Sequence, residues 1–196
     1  VEKFCEEFKI PFGESQAGKS ACKSSHPYCL GGIGVTGTYA SNIIAEDADV
    51  VIAIGSRMSD FTTSSKRLFK NPDVKFVTIN NCRFHAYKMD AAKAVGDAKV
   101  TVEALTKKLR ARGYVSAYNG EIEEAKKVWD KEMVRLAGIE YTGDDFEPII
   151  KARDPRTIPE FVKMTNGKIT QTAALAAIRR VIDEDATIIT AGGSLP

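Results

Sequence analysis

Apolar positions in this chain fall into short blocks that alternate between two spacings. Asp49-Val-Val-Ile-Ala-Ile54 is a continuous apolar run, which predicts a parallel strand covered on both faces rather than a half-exposed one. Lys75–Ile79, Ala92–Val95 and the shorter Ile10–Phe12 predict three more strands. Helical spacing lies between them. Phe4 and Phe8, four apart, predict the end of an amphipathic helix over Val1–Lys9. Thr36 or Thr38 is expected to cap a helix reaching about Glu46, with Tyr39, Ile43 and Ile44 inward. Asp60–Phe69 reads as helical, Asn80-Asn81 as a turn, and Asp97 as the cap of a helix over Val100–Arg112 that buries Val102, Leu105 and Leu109. Gly13–Thr36 reads as one long loop, in which Ser25–Leu30 is not a strand. Strands alternating with helices at this spacing imply an α/β fold: a Rossmann-like open parallel sheet with helices on both faces, joined by right-handed crossovers.

Past Asn119 the pattern changes. Gly120–Ala137 predicts a charged helix docked through Ile122, Ala125, Val128, Trp129 and Met133. Gly138–Asn166 contains Pro148, Pro155 and Pro159 without any period, and reads as an interdomain linker. A helix from Ile169 to about Val181 and a strand over Ala186–Thr190 then open another α/β unit. The expected domains are therefore 1–112, a helix and linker over 113–166, and the start of a second domain over 167–196.

Composition narrows the function classes. A formal charge of +2 among 28% charged residues gives no electrostatic case for nucleic acid or an anionic membrane surface. No apolar run approaches the ~20 residues that span a bilayer. No secretory signal is visible, and the expectation is a cytoplasmic protein with reduced thiols. Cys22, His26 and Cys29 invite a metal reading, but paired ligands two residues apart are missing and no metal site is expected. His85 has no acidic or nucleophilic partner nearby in sequence and reads as a surface or loop residue.

The chemistry-bearing segment is Gly31-Gly-Ile-Gly-Val-Thr-Gly-Thr38. Gly32, Gly34 and Gly37 match G-x-G-x-x-G, yet that fingerprint requires a strand running into its first glycine. Two readings stay open. Gly32, Gly34, Gly37 and Thr38 line a nucleotide cleft, or the glycines let the loop pass close to the sheet, and the second is favoured. Arg57 and Asp60 follow a strand's carboxyl end, where open α/β sheets bind ligands, and an ion pair or a cap holding the loop is an equal reading.

Gln16-Ala-Gly-Lys19, His26-Pro27, Gly31–Thr38, Ala48–Arg57, Asp60-Phe-Thr-Thr63 with Ser65-Lys66, Lys75–Asn80 and Ala94-Val-Gly-Asp97 resemble the central domain of thiamine-diphosphate-dependent enzymes, the family that includes acetolactate synthase. Within it the chain looks closest to a branch that opens a cyclic trihydroxy-1,2-dione in inositol breakdown. The resemblance implies thiamine diphosphate and Mg²⁺ in a longer parent enzyme, with FAD at the glycine loop in some members. The hydrolytic branch has no net redox step, which disfavours FAD here. It implies no catalytic residue in this chain, because the activating glutamate and the Gly-Asp-Gly metal motif have no counterpart. It implies that Gly192, Gly193, Ser194 and Leu195 begin a diphosphate-binding loop. It further implies that the family's first strand is absent, and another segment, such as Thr187–Thr190 of the same chain or of a neighbour, is expected to fill the gap. The implied partners are the remaining domains of the same polypeptide and further copies in a dimer or tetramer. No cofactor is expected to bind this fragment tightly. The alternatives are an acetolactate-synthase-like carboligase fragment and a nucleotide-binding regulatory module.

Overall fold

A computed structural model describes residues 1–139, 154–165, 168–183 and 185–188. The chain divides into two compact units, Val1–Trp129 and Asp130–Pro196.

The first unit opens with helix α1 (Glu2–Phe8) and ends it at Lys9 in a left-handed conformation. Strand β1 is Phe12–Glu14, two residues later than the periodicity predicts. Strand β2, Cys29–Gly32, lies inside the expected loop and pairs in parallel with β1. This corrects the reading of Ser25–Leu30 as non-strand. Pro27 and the polar residues before it mask the strand, and its two glycines carry no alternation. Pairing with β1 creates it. Helix α2 (Tyr39–Glu46) starts where Thr38 accepts a hydrogen bond from Ser41 N at 3.0 Å.

Strands β3 (Val50–Ile54), β4 (Lys75–Asn80) and β5 (Ala92–Val95) form a second parallel sheet in that order. Helix α3 (Asp60–Thr63) follows β3 and α4 (Arg83–Ala86) follows β4. The predicted helix to Phe69 stops after four residues, because Ser64, Ser65 and Lys66 all take positive φ. The Thr63 hydroxyl accepts from Lys66 N at 3.1 Å, a local bond that competes with helix propagation. Helix α5 (Ala98–Ala111) begins at the expected cap, with Asp97 accepting from Val100 N at 3.0 Å.

Thr78 and Ile79 are adjacent in β4 and therefore face opposite sides of the sheet. Ile79 packs with Phe4, Cys5 and Phe8 of α1 and Val102 of α5. On the other face, Thr78 Oγ1 donates to Ala86 O of α4 at 2.6 Å. Helices thus cover both faces of this strand. A second cluster joins Leu30 of β2 and Ala40 of α2 to Ile122 and Ala125 of helix α6 (Glu121–Ala137).

Three burial expectations fail. Tyr39 stays 46% exposed, Val128 of the expected docking stripe is 39% exposed, and Val50 is 52% exposed although its strand reads as fully covered. The cause for Val50 is topological: among the described residues β3 is hydrogen-bonded only to β4, so it is an edge. Likewise, among the described residues β1 pairs only with β2.

In the second unit, helix α7 (Thr157–Thr165) lies within the stretch expected to be linker. Pro159 falls in its first turn, where a missing N–H costs nothing, so proline marks a helix start there rather than a break. Helix α8 (Gln171–Arg179) begins with Thr170 accepting from Ala173 N at 3.1 Å. Of the expected Ala186–Thr190 strand, Ala186, Thr187 and Ile188 are not in strand conformation and the rest lies outside the described residues.

Glu7 and Arg110 form a two-toothed ion pair that ties α1 to α5, with Arg110 Nη2 donating to Glu7 Oε2 at 2.7 Å. The hydrogen bond from Arg110 holds the Glu7 carboxyl below its usual range. Any stabilisation from this pair is present at neutral pH and is lost as pH falls through the lowered folded-state value. An NMR titration should place Glu7 below free glutamate, and Arg110→Gln should return it to the ordinary range. An unshifted Glu7 in the unsubstituted chain would contradict the contact.

Candidate functional site

Three loops meet beyond the strand ends: the β1–β2 loop, the β2–α2 glycine loop, and the β3–α3 loop. Glu14, the last residue of β1, turns the first of them inward by accepting from Cys22 N at 3.0 Å and Ser20 N at 3.4 Å. In the second, β2 runs directly into Gly32, and α2 starts six residues later at the Thr38 cap. The strand that the G-x-G-x-x-G pattern requires is therefore present, contrary to the sequence reading.

The structure brings Gly32, Gly34, Gly37 and Thr38 together in one closed turn. Gly37 N donates to Gly34 O at 2.9 Å, and Thr38 N donates to Gly32 O at 2.8 Å. Thr38 Oγ1 donates to Leu30 O at 2.5 Å. Asn42 clamps the turn: its Oδ1 accepts from Gly34 N at 3.0 Å and its Nδ2 donates to Gly34 O at 2.9 Å. Ile33 N is taken by Glu14 O and Val35 N by Phe61 O, each at 2.9 Å. The backbone donors at 33, 34, 35, 37 and 38 thus have partners within the protein. A phosphate-cradling loop works by presenting free N–H groups, and here five of them point into the fold's own bonds.

Two glycines are dictated by contact. A Cβ on Gly34, whose φ is +100°, would lie 2.2 Å from Phe61 O. On Gly37 it would lie 2.8 Å from both Gly32 O and Asn42 Oδ1. The loop packs backbone against backbone, against α3, and this close approach explains the glycine spacing.

Arg57 and Asp60 form no ion pair among the described residues, and the cap of α3 is Ser59, which accepts from Thr62 N at 3.4 Å. Asn80 is the residue sequence reasoning missed: it is 6% exposed, donates to Ser56 O at 3.2 Å and accepts from Cys82 N at 2.9 Å. It fastens the carboxyl ends of β3 and β4 to each other. Nothing but its place at a strand end could have signalled it, and the same holds for Asn42. Among the described residues two buried side-chain polar atoms have no hydrogen-bond partner, Ser56 Oγ and His85 Nδ1. His85 is therefore not the plain surface residue its surroundings in sequence suggest.

The Cys22, His26, Cys29 grouping does not assemble a metal centre. Among the described residues no three His, Cys, Asp or Glu side chains gather to hold an ion. His26 Nδ1 already accepts from Tyr28 N at 3.2 Å. Burial raises the thiol pKa of Cys22, and at Cys5 pushes it up to about 12, so Cys5 stays protonated at neutral pH. The donor set that Mg²⁺ and a diphosphate need is thus not found among the described residues, while Gly192, Gly193, Ser194 and Leu195 lie outside them. No helix of the described residues is long and apolar enough to cross a membrane.

Comparison with known proteins adds what the geometry lacks. Residues 1–105 match the family described as "Thiamine pyrophosphate enzyme, central domain". A protein of Clostridium botulinum named 3D-(3,5/4)-trihydroxycyclohexane-1,2-dione hydrolase is 58% identical over 196 residues, which is all of this chain and 30% of that protein. One of the same name from Clostridium perfringens is 58% identical over 193 residues, 98% of this chain and 30% of its own. A third, hydrolase 2 of Bacillus cereus, is 50% identical over 196 residues, again 30% of its length. The chain spans about a third of the length of these relatives.

Proposed function

Since the chain belongs to the thiamine pyrophosphate enzyme family, matching its central domain, we propose that it forms the middle layer of a hydrolase that opens a cyclic trihydroxy-1,2-dione. The observation that carries this reading is 58% identity along the whole chain to proteins bearing that name. Such a reaction adds water across the bond between two ring carbons, leaving a carboxylic acid on one and a C–H on the other, with no net oxidation. Thiamine diphosphate would supply the carbanion-stabilising chemistry in the parent enzyme.

The residues described here do not fit that cofactor. Their backbone donors at the glycine loop are engaged internally, and no acidic cluster offers to hold Mg²⁺. No catalytic step is therefore assigned to them. The role proposed for Gly32, Gly34, Gly37, Thr38 and Asn42 is to set the spacing between β2, α2 and α3, so that the remaining layers of the parent dock on a rigid surface. Gly192–Leu195 are proposed to begin the diphosphate loop, as the resemblance implies. The domain boundaries at 112 and 166 are proposals of the same kind, as is assembly of the parent as a dimer or tetramer.

The parent polypeptide, purified with thiamine diphosphate and Mg²⁺, should hydrolyse the dione, followed by NMR of the ring-opened acid. It should carry no flavin absorbance. Pyruvate condensation together with a bound flavin would move the assignment to an acetolactate-synthase-like carboligase. The 196-residue chain alone should show no turnover, and measurable hydrolysis by it would overturn the scaffold role.

A further inference from the structure

An asparagine side chain is reactive where the backbone N–H that follows it is free, because that nitrogen attacks the side-chain carbonyl and closes a five-membered ring. The chain holds six asparagines, five of them among the described residues. Four of the five are held against the reaction. Asn42 is bonded twice to Gly34, and the next residue, Ile43, lies inside α2, where its N–H belongs to the helix ladder. Asn71 precedes Pro72, which has no N–H to attack with, and its own carboxamide accepts from Asp73 N and donates to Asp49. Asn80 is 6% exposed, donates to Ser56 O and accepts from Cys82 N. Asn81 is followed by Cys82, whose N–H is the one that Asn80 holds at 2.9 Å.

Asn119 differs from all four. It is exposed, as is Gly120 after it, and among the described residues neither the Asn119 carboxamide nor Gly120 N has a hydrogen-bond partner. The groups on either side are pinned: Asn119 N donates to Glu121 Oε2 at 2.7 Å, and Glu124 N donates to Gly120 O at 2.9 Å. The nitrogen between them is left without an acceptor. Nothing lies within 4 Å of where a Cβ on Gly120 would stand, so the space beside it is open. Glycine also has no side chain to obstruct ring closure, and its backbone adopts the needed angles readily.

We propose that Asn119-Gly120 is a self-modifying site, at which Asn119 converts to aspartate and isoaspartate with loss of ammonia. Gly120 N gives its proton to solvent and bonds to Asn119 Cγ. The Cγ–Nδ2 bond breaks, and the nitrogen leaves as ammonia after taking up a proton. Water then adds to one of the two ring carbonyls and breaks its bond to Gly120 N, which regains a proton. Opening at Cγ leaves aspartate. Opening at the backbone carbonyl leaves isoaspartate, whose main chain is longer by one CH2. The sum is one water taken up and one ammonia released, with no oxidant or reductant. Position gives the change a consequence, because Ile122 and Ala125 of the helix that starts here pack on Leu30 and Ala40, and Leu30 leads into the glycine loop. The N–H groups of Glu121 and Asn119 hold the Glu121 carboxyl below its usual range, so it is charged at neutral pH. A second carboxylate beside it, or an extra CH2 in the main chain, disturbs the bond that fastens the start of α6.

Peptide mapping of the parent polypeptide by mass spectrometry, during incubation in neutral buffer, tests it. The Asn119 peptide should gain the mass difference between NH and O and split into two products, while the peptides bearing Asn42, Asn71, Asn80 and Asn81 stay unchanged. Isoaspartate among the products identifies ring closure, because direct hydrolysis of the carboxamide gives aspartate alone. Gly120→Ala should slow the conversion at least tenfold, or about 1.4 kcal/mol of barrier, and an unchanged thermal midpoint would show that its fold is intact. Hydrogen exchange in the first turns of α6 should quicken as isoaspartate accumulates. An Asn119 peptide that stays intact, aspartate without isoaspartate, a Gly120→Ala variant that converts as fast as its parent, or α6 exchange that does not change would each overturn the proposal. None of these readouts uses turnover, so the hydrolase reading stands or falls separately.

Discussion

Gly34→Ala should lower the stability of the first unit by about 4 kcal/mol, read as a shift of roughly 2 M in urea midpoint for an ordinary small-domain slope. Two costs combine. The added Cβ would sit 2.2 Å from Phe61 O and 2.8 Å from Thr62 O, both backbone atoms that no rotamer change can move. At φ +100° any L side chain is also strained, by about 1–3 kcal/mol. Since Gly34 is held by Asn42 on two sides, the loop cannot relax without breaking those bonds. Asn42→Ala should therefore reproduce part of the loss, about 2 kcal/mol, by leaving Gly34 N and O unmatched. Gly120→Ala is the control: nothing lies within 4 Å of a Cβ there, and its midpoint should hardly change. If Gly34→Ala melts like Gly120→Ala, the loop is not packed against α3 and the scaffold role loses its structural basis.

Phe8→Ala should cost about 3–5 kcal/mol, the range for removing a buried aromatic side chain. Phe8 is 2% exposed and meets Phe4 edge to face at a centroid distance of 5.2 Å, with Tyr114 at 6.2 Å. Its carbonyl also accepts from Ser116 N at 2.9 Å, so the segment after α5 is tethered through the same residue. The cluster around it reaches Phe12 of β1, Ile52 and Ile54 of β3, and Ile79 of β4. One helix face therefore covers strands of both sheets. Emptying it should release both, seen as a single lowered thermal transition. Loss of one sheet alone, detected by hydrogen exchange confined to β1 and β2, would show that the sheets are independent. Phe84→Ala gives the contrast, since an equally large ring at 73% exposure should leave stability nearly unchanged.

Much of the architecture was legible along the chain. β3, β4 and β5 lie where apolar runs put them, and α2 and α5 start at threonine and aspartate caps that the spacing picks out. The errors share a cause. β2 is four residues long with two glycines, α3 is cut short by the Thr63 hydroxyl, and α7 contains a proline that reads as a breaker. Each is an element whose local propensity is weak or misleading and whose existence depends on a partner elsewhere. The candidate site was legible as a glycine pattern but not as a geometry, because the same three glycines serve a phosphate or a neighbouring backbone equally well.

Local chemistry by itself determined the parallel α/β class, the places of the inner strands along the chain and the family resemblance, because periodicity, caps and apolar runs act over a few residues and need no partner. Tertiary structure alone decided that the glycine loop turns its N–H groups onto Glu14, Asn42 and Phe61, that β3 pairs among the described residues only with β4, and that Asn80 fastens two strand ends. Those outcomes depend on which distant atoms lie within about 3 Å of a donor, and no spacing along a chain encodes a distance through space.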